Sequence, residues 1–289
     1  MNQLDKLNYK ESKLNIPIYA TLEECLSSLG YTFNYDVIGF GRRCEVVKAW
    51  SERNKKQVAV KVIDKLAIND NDYKIKLTEE LSLWSKLYHP NVIELIEYAN
   101  NCRWTFSVME LALEGDLNTW LRTHVKSPSA DQARMWVQQI TNGLHYLKLL
   151  GYSHGDVKPS NILVYHKTLK VCDFDCSKIL DGKLSEVFCG SFGYIAPEVF
   201  RKEPYDPEKA DVWSLGVTAY VVTTNECNSE KNFPQTFVFK LKKNWDAFVP
   251  KDARSLLKRM LTRNADSRCD MEHVVHHRWF TPEHNIEAE

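Results

Sequence analysis

The sequence predicts an α+β chain in two lobes, and three observations carry that prediction. Strand-like period-2 runs dominate residues 31 to 111. From about residue 114 the apolar period becomes helical, and strands followed by helices are the mark of an α+β layout. With 289 residues, 44% of them hydrophobic, the chain can bury one large core or two smaller ones.

The elements follow in order. Residues 1–31 read as an N-terminal extension, in which Thr21-Leu22-Glu23-Glu24 forms a capping box that starts a short helix ending at Gly30. Strands are expected at Tyr31–Ile38, Arg43–Trp50, Gln57–Ile63, Val92–Ala99 and Thr105–Glu110. One helix interrupts them, from Lys74 to Leu87, and His89-Pro90 ends it. The join falls near Ala112–Gly115, which gives a first lobe over 32–111, a second over 112–280 and a tail over 281–289. A cleft between two lobes is a common ligand site. In the second lobe, residues 129–150 place Ala133, Trp136, Val137, Ile140, Leu144 and Leu147 on one helical face. Further helices are expected at 208–223, 251–263 and 270–279.

Composition narrows the function classes. Lysine plus arginine (38) balance aspartate plus glutamate (38), so no strong field attracts nucleic acid or an anionic membrane. No repeat recurs at a fixed period, which disfavours a solenoid. The 8 cysteines (25, 44, 102, 172, 176, 189, 227 and 269) contain no CxxC pair, and no secretory segment opens the chain. The expectation is therefore neither a disulfide framework nor a zinc site, and a reducing internal compartment. No run of 18 apolar residues occurs, so a soluble chain is expected in the cytoplasm, with the nucleus as the alternative.

The chemistry begins at Ile38-Gly39-Phe40-Gly41-Arg42-Arg43-Cys44-Glu45-Val46. Glycines there let backbone amides close over phosphates, although the same residues also suit a plain hairpin turn. No helix follows directly, which disfavours a dinucleotide-binding turn, and Cys44 stands where a third glycine is usual. Lys61 ends the apolar run Val58-Ala59-Val60 and points either into a cleft or to solvent; Glu80, on the expected helix, could pair with it. Then come Asp156, Lys158, Asn161 and the run Asp173-Phe174-Asp175. A lone loop aspartate is usually a turn former, but three oxygen-bearing groups on two neighbouring loops suit phosphoryl transfer. One carboxylate orients the attacking hydroxyl, while an Asn and a second Asp offer hard oxygens to magnesium.

Together with Ala196-Pro197-Glu198, Asp211-Val212-Trp213-Ser214-Leu215-Gly216 and Arg268, these segments resemble the protein-kinase signature set in its order, over about residues 32–280. The pieces Gly30-Tyr31, Ala49-Trp50-Ser51-Glu52-Arg53, Val60-Lys61-Val62-Ile63-Asp64, Val108-Met109-Glu110-Leu111-Ala112 and Phe188-Cys189-Gly190-Ser191 are similar to the testis-specific serine kinases of the calcium/calmodulin-dependent group. Lys158 with Ser191 is the serine/threonine pattern. The resemblance implies a bilobal kinase fold, ATP with Mg²⁺ (or Mn²⁺), a protein substrate with Ser or Thr, and a monomer. Ile38, Val46, Ala59 and Leu163 would sandwich adenine; Met109 would be the gatekeeper, and Glu110 and Ala112 the hinge. Asp116 would lie near the ribose, and Ser160 beside the nucleotide-binding set. Lys61 and Glu80 would hold phosphates, Asp156 and Lys158 would act on the hydroxyl, and Asn161 and Asp173 would hold the metal. Glu198 would pair with Arg268, Asp211 would bind the catalytic-loop backbone, and His154, Phe174 and Trp84 would stack.

Three departures matter. Gly155 replaces an arginine that in many kinases receives a loop phosphate, and Val187 stands where the phosphorylated Thr is usual. Activity is therefore expected not to depend on phosphorylation there, with Ser185 a displaced site. Asp175 replaces a glycine, by rule either a solvent-facing residue or a charge near the metal, which keeps a nucleotide-binding pseudokinase as the alternative. Ser160 and Val221 stand where basophilic kinases carry acids, so a strong preference for arginine-rich peptides is not expected. Cys172 and Cys44 read as inert thiols, His273, His276 and His277 as packing rather than metal ligands, and nothing past Phe280 as a regulatory helix.

Overall fold

The computed structural model describes residues 11–13, 21–41, 43–68, 71–101, 103–124, 127–225, 245 and 249–281. Arg42, Cys102, Cys227 and most of the expected tail lie outside them. The chain divides into two compact units, Met1–Leu113 and Glu114–Glu289.

The first unit is built on a six-stranded sheet of order β1-β5-β6-β4-β3-β2. Its strands are β1 (Glu11–Lys13), β2 (Tyr31–Phe40), β3 (Glu45–Ser51), β4 (Lys56–Asp64), β5 (Leu95–Asn100) and β6 (Trp104–Glu110). All pairings are antiparallel except β1 with β5. Helix α1 (Leu22–Ser28) starts at the expected capping box: Glu24 N–H donates to Thr21 Oγ1 (3.2 Å) and Thr21 N–H to Glu24 Oε2 (2.7 Å). Its Cys25 and Leu26 are fully buried and join Tyr31, Phe33, Val47, Val58, Val60, Val62 and Val108 in one core. Because side chains alternate along a strand, that core takes one face of β4 and leaves Ala59, Lys61 and Ile63 on the other. The second face is covered by α2 (Asn71–Trp84), whose Leu77 and Leu81 pack with Ile63 and Ile68. The helix stops at Trp84, three residues before the expected Leu87; Lys86 and Leu87 instead close tighter turns onto Leu83 and Trp84 carbonyls.

The second unit contains α3 (Leu117–Thr123), α4 (Ala130–Leu149), α5 (Pro197–Phe200), α6 (Pro207–Thr224), α7 (Lys251–Met260) and α8 (Met271–Val275), with short strands β7 (Tyr152–Ser153), β8 (Ile162–Tyr165), β9 (Thr168–Val171) and β10 (Lys178–Ile179). All six expected face residues of α4 are buried. At about 1.5–3 kcal/mol for a large apolar side chain, this one stripe is a major part of the unit's stability. Helix α6 is buried from Ala210 to Val222, so it forms the centre against which α4, α7 and α8 pack. Asp206 caps its start through the Glu208 and Lys209 amides, with Pro207 in the first turn, and Asn225 ends it in the left-handed region. The last two helices are shorter than expected because turns replace their final residues: Val274 and His277 carbonyls accept from His277 and Phe280 amides.

Candidate active site

In the first unit, Ala59 and Lys61 stand on the inner face of β4, with Val46 opposite Lys61 on β3, and Met109 and Ser107 opposite them on β6. Residues Leu77, Glu80, Leu81 and Trp84 share the buried side of α2, so Glu80 is carried inward with its apolar neighbours. A carboxylate only 6% exposed needs a partner, and Lys61 Nζ lies 2.9 Å from its Oε1. The β2–β3 hairpin carries Gly39, Phe40, Gly41, Cys44, Glu45 and Val46; Gly41 N–H donates to the Cys44 carbonyl (2.8 Å), and Ile38 and Phe40 are exposed. Glu110 ends β6 and Ala112 follows it, and the Glu110 carboxylate accepts from Glu94 N–H (2.9 Å). Trp84, in the same unit, donates its indole N–H to the Ile93 carbonyl (2.8 Å).

In the second unit, the loop from His154 to Asn161 is held by buried groups. Asp211 on α6 accepts His154 N–H on Oδ2 (2.6 Å) and Gly155 N–H on Oδ1 (2.8 Å). Burial pushes the Asp211 carboxyl above its ordinary value, and those two amides oppose the shift. The His154 ring donates from Nε2 to the Cys172 carbonyl (3.1 Å) and accepts Asp156 N–H at Nδ1 (3.2 Å), while its edge meets Phe174 with centroids 5.6 Å apart.

Asp156 is the convergence point. Its Oδ2 lies 3.0 Å from Lys158 Nζ and accepts Asn161 Nδ2–H at 3.1 Å; the same Asn161 amine also donates to the Asp156 carbonyl (2.9 Å). Its Oδ1 is buried without a hydrogen-bond partner. Lys158 Nζ also donates to Ser191 Oγ at 2.6 Å. The β8–β9 ladder pairs Ile162 with Val171, and Cys172 N–H donates to the Asn161 carbonyl (2.9 Å), so Asn161 and Asp173 leave the same end of one hairpin. Asp173 adopts φ +69°, a costly angle for a non-glycine residue that is held by its surroundings. Leu163 is bridged to Asp116, whose carboxylate caps α3 through Thr119 N–H (2.9 Å). Ser160 sits in the short 3₁₀ turn Pro159–Asn161.

The model of the protein kinase domain matches residues 33–280. The chain belongs to the protein kinase family. It is similar to human testis-specific serine/threonine-protein kinase 3, at 31% identity over 89% of this chain and 98% of that one. It is also similar to rice CBL-interacting protein kinase 19 (31% identity, 84% of this chain, 49% of the relative) and to human serine/threonine-protein kinase DCLK2 (32%, 88% and 35%). The chain thus spans about half or less of the length of these last two relatives.

In this protein kinase domain, Glu198 and Arg268 form the expected pair, bidentate at 2.7 and 2.9 Å and buried. The Gly155 departure has a steric cause. Its φ is +83°, and a Cβ there would run into the Cys176 carbonyl oxygen, so an arginine does not fit this backbone. Asp175 is exposed and has no positive φ, so its position makes no demand for glycine. Ser185 pairs by backbone with Tyr205, and Val187 is 51% exposed.

One expectation is corrected. The scattered cysteines gave no reason to expect a disulfide, yet Cys176 and Cys189 are bridged, with Cα atoms 5.8 Å apart. A separation of 13 residues carries no pairing motif; the pair forms because the segment after Asp173 folds back toward Ser191. Cys269 is a free thiol.

Proposed function

We propose that this kinase transfers the γ-phosphoryl group of ATP to serine or threonine hydroxyls of protein substrates. The observation that carries the reading is Asp156: one carboxylate oxygen is fixed by Lys158 and Asn161, and the other is buried with no partner. An acceptor in that state suits the hydroxyl proton of an incoming substrate. Lys158 bridges Asp156 and Ser191, placing a cation where negative charge develops. Lys61, fixed by Glu80, meets the nucleotide phosphates. In this reading Ile38, Val46 and Ala59 of the first unit and Leu163 of the second would each offer apolar surface to adenine, Met109 would be the gatekeeper, and the Glu110–Ala112 backbone would meet its edge.

The residues present fit a magnesium ion. Asn161 spends its amine on Asp156, which leaves its Oδ1 as an acceptor, and Asp173 leaves the same end of the β8–β9 hairpin. Such an ion takes one or two protein oxygens, with phosphates and waters completing its shell. Bound there, Mg²⁺ or Mn²⁺ would neutralise charge on the phosphates. Among the described residues, no helix is long and apolar enough to cross a membrane.

Activation-loop phosphorylation is not needed in this reading, because Gly155 has no room for a phosphate-binding side chain and Val187 has no hydroxyl. We place the protein in an internal, reducing compartment. The test is purified chain with labelled ATP, Mg²⁺ or Mn²⁺ and generic Ser/Thr substrates, beside Asp156→Asn. Transfer by the wild type alone supports the reading. Equal signal from both sinks it, and nucleotide binding without transfer gives the pseudokinase instead.

A further inference from the structure

We infer that Cys176 and Cys189 form a thiol–disulfide switch whose bridged form is the active one. This rests on the kinase reading above. Cys176 lies three residues after Asp173, and Cys189 two residues before Ser191, the hydroxyl that meets Lys158. The bridge therefore ties the residue after Asp173-Phe174-Asp175 to the segment just before the Lys158 contact. Both cysteines bear on one point of the catalytic loop. The Cys176 carbonyl crowds the Cα of Gly155, and Gly190, at φ +109°, lies so close that a Cβ there would sit 3.0 Å from the Gly155 carbonyl and 2.7 Å from Ile195. Asp156 is the next residue. With neither an arginine at 155 nor a hydroxyl at 187, the bridge is the covalent means of keeping this layer closed.

The pair is placed for exchange. Cys176 is 7% exposed, but Cys189 is half-buried and lines an open hollow with Gly155, Lys178, Tyr205 and Ser214. The bridge forms with a small-molecule disulfide such as oxidised glutathione. The Cys189 thiolate attacks one of its sulfurs and expels a thiolate; Cys176 then attacks the Cys189 sulfur and expels the second. Two protein thiols lose two electrons, the small disulfide gains them, and both protons end on the released thiols. Excess reduced thiol runs the steps backward, so in a reducing compartment the bridge is transient and regulatory.

The test poises purified chain in glutathione buffers from reducing to oxidising, and reads three things. A non-reducing tryptic map reports the link between the peptides containing Cys176 and Cys189; timed trypsin digestion reports cleavage after Lys183; a transfer assay reports activity. Cys176→Ser and Cys189→Ser are run alongside. The expected result is that linkage and transfer rise together. Reduced chain and both variants transfer about tenfold more slowly and are cut about tenfold faster in the segment, a population shift of about one decade. Linkage that never forms, or linkage that changes neither cleavage nor transfer, overturns the proposal, as does transfer that falls on bridging. If no state transfers phosphate, the kinase reading fails, while the linkage and cleavage data still decide whether the bridge orders the segment.

Discussion

Replacing Glu198 by alanine should cost the second unit about 3 kcal/mol, and the structure says why. The Arg268 side chain is 0% exposed and Glu198 8%, and the two meet through two hydrogen bonds of 2.7 and 2.9 Å. Removing one partner of such a pair leaves an uncompensated buried charge, which costs about 3–5 kcal/mol. Here the guanidinium keeps the Thr262 and Lys209 carbonyls at 3.0 and 2.7 Å, so the cost falls toward the lower end. With a urea slope of about 3 kcal/mol per M, the midpoint should drop by about 1 M. Tryptophan fluorescence suits the assay, since Trp213 lies 5.1 Å under the Arg268 guanidinium. The double variant Glu198→Leu/Arg268→Met removes both charges and should recover most of the loss. A midpoint shift below about 0.3 M for Glu198→Ala would refute the reasoning, because the charge would then not be stranded.

Three further outcomes are expected. Lys61→Met removes the cation 2.9 Å from Glu80 and should lower transfer by about 100-fold or more while circular dichroism stays unchanged; unaltered ATP turnover would count against the phosphate role. Gly155→Ala forces a side chain into the left-handed region, at about 1–2 kcal/mol, and adds a collision with Cys176; urea unfolding that matches the wild type would contradict this. Burial first, then the hydrogen bond to Glu97, holds the Tyr31 phenol far above its ordinary 10.0. The folded state thus keeps its proton while the unfolded chain loses it, so this contribution is complete below pH 10.0 and is lost as pH rises beyond it. Tyr31→Phe should flatten that alkaline loss in thermal midpoints taken from pH 9 to pH 11 in the same buffers; parallel curves for the two proteins would argue against it.

Much of the site was legible because its residues sit on periodic elements or in ordered motifs. Lys61 falls on the face of β4 opposite its Val58 and Val60 neighbours, and Glu80 shares a helical side with Leu77 and Leu81, so strand and helix periods bring the pair together. The same logic found the buried stripe of α4 from Ala133 to Leu147. What escaped depends on backbone direction rather than on pattern. The positive φ of Gly155 and the return of the chain that brings Cys189 to Cys176 leave no periodic trace. Helix ends at 84, 260 and 275 were overrun because apolar spacing continues through the closing turns.

The most direct test of the account pairs two numbers for Asp156→Asn: its rate of phosphoryl transfer and its affinity for ATP. Asparagine keeps the size of the side chain but gives up the charge that Lys158 and Asn161 hold and the acceptor that the substrate hydroxyl meets. The account predicts a transfer rate lowered by about 100-fold or more, with the dissociation constant for ATP within about twofold of wild type. A variant that transfers phosphate at the wild-type rate would contradict the central role given to Asp156.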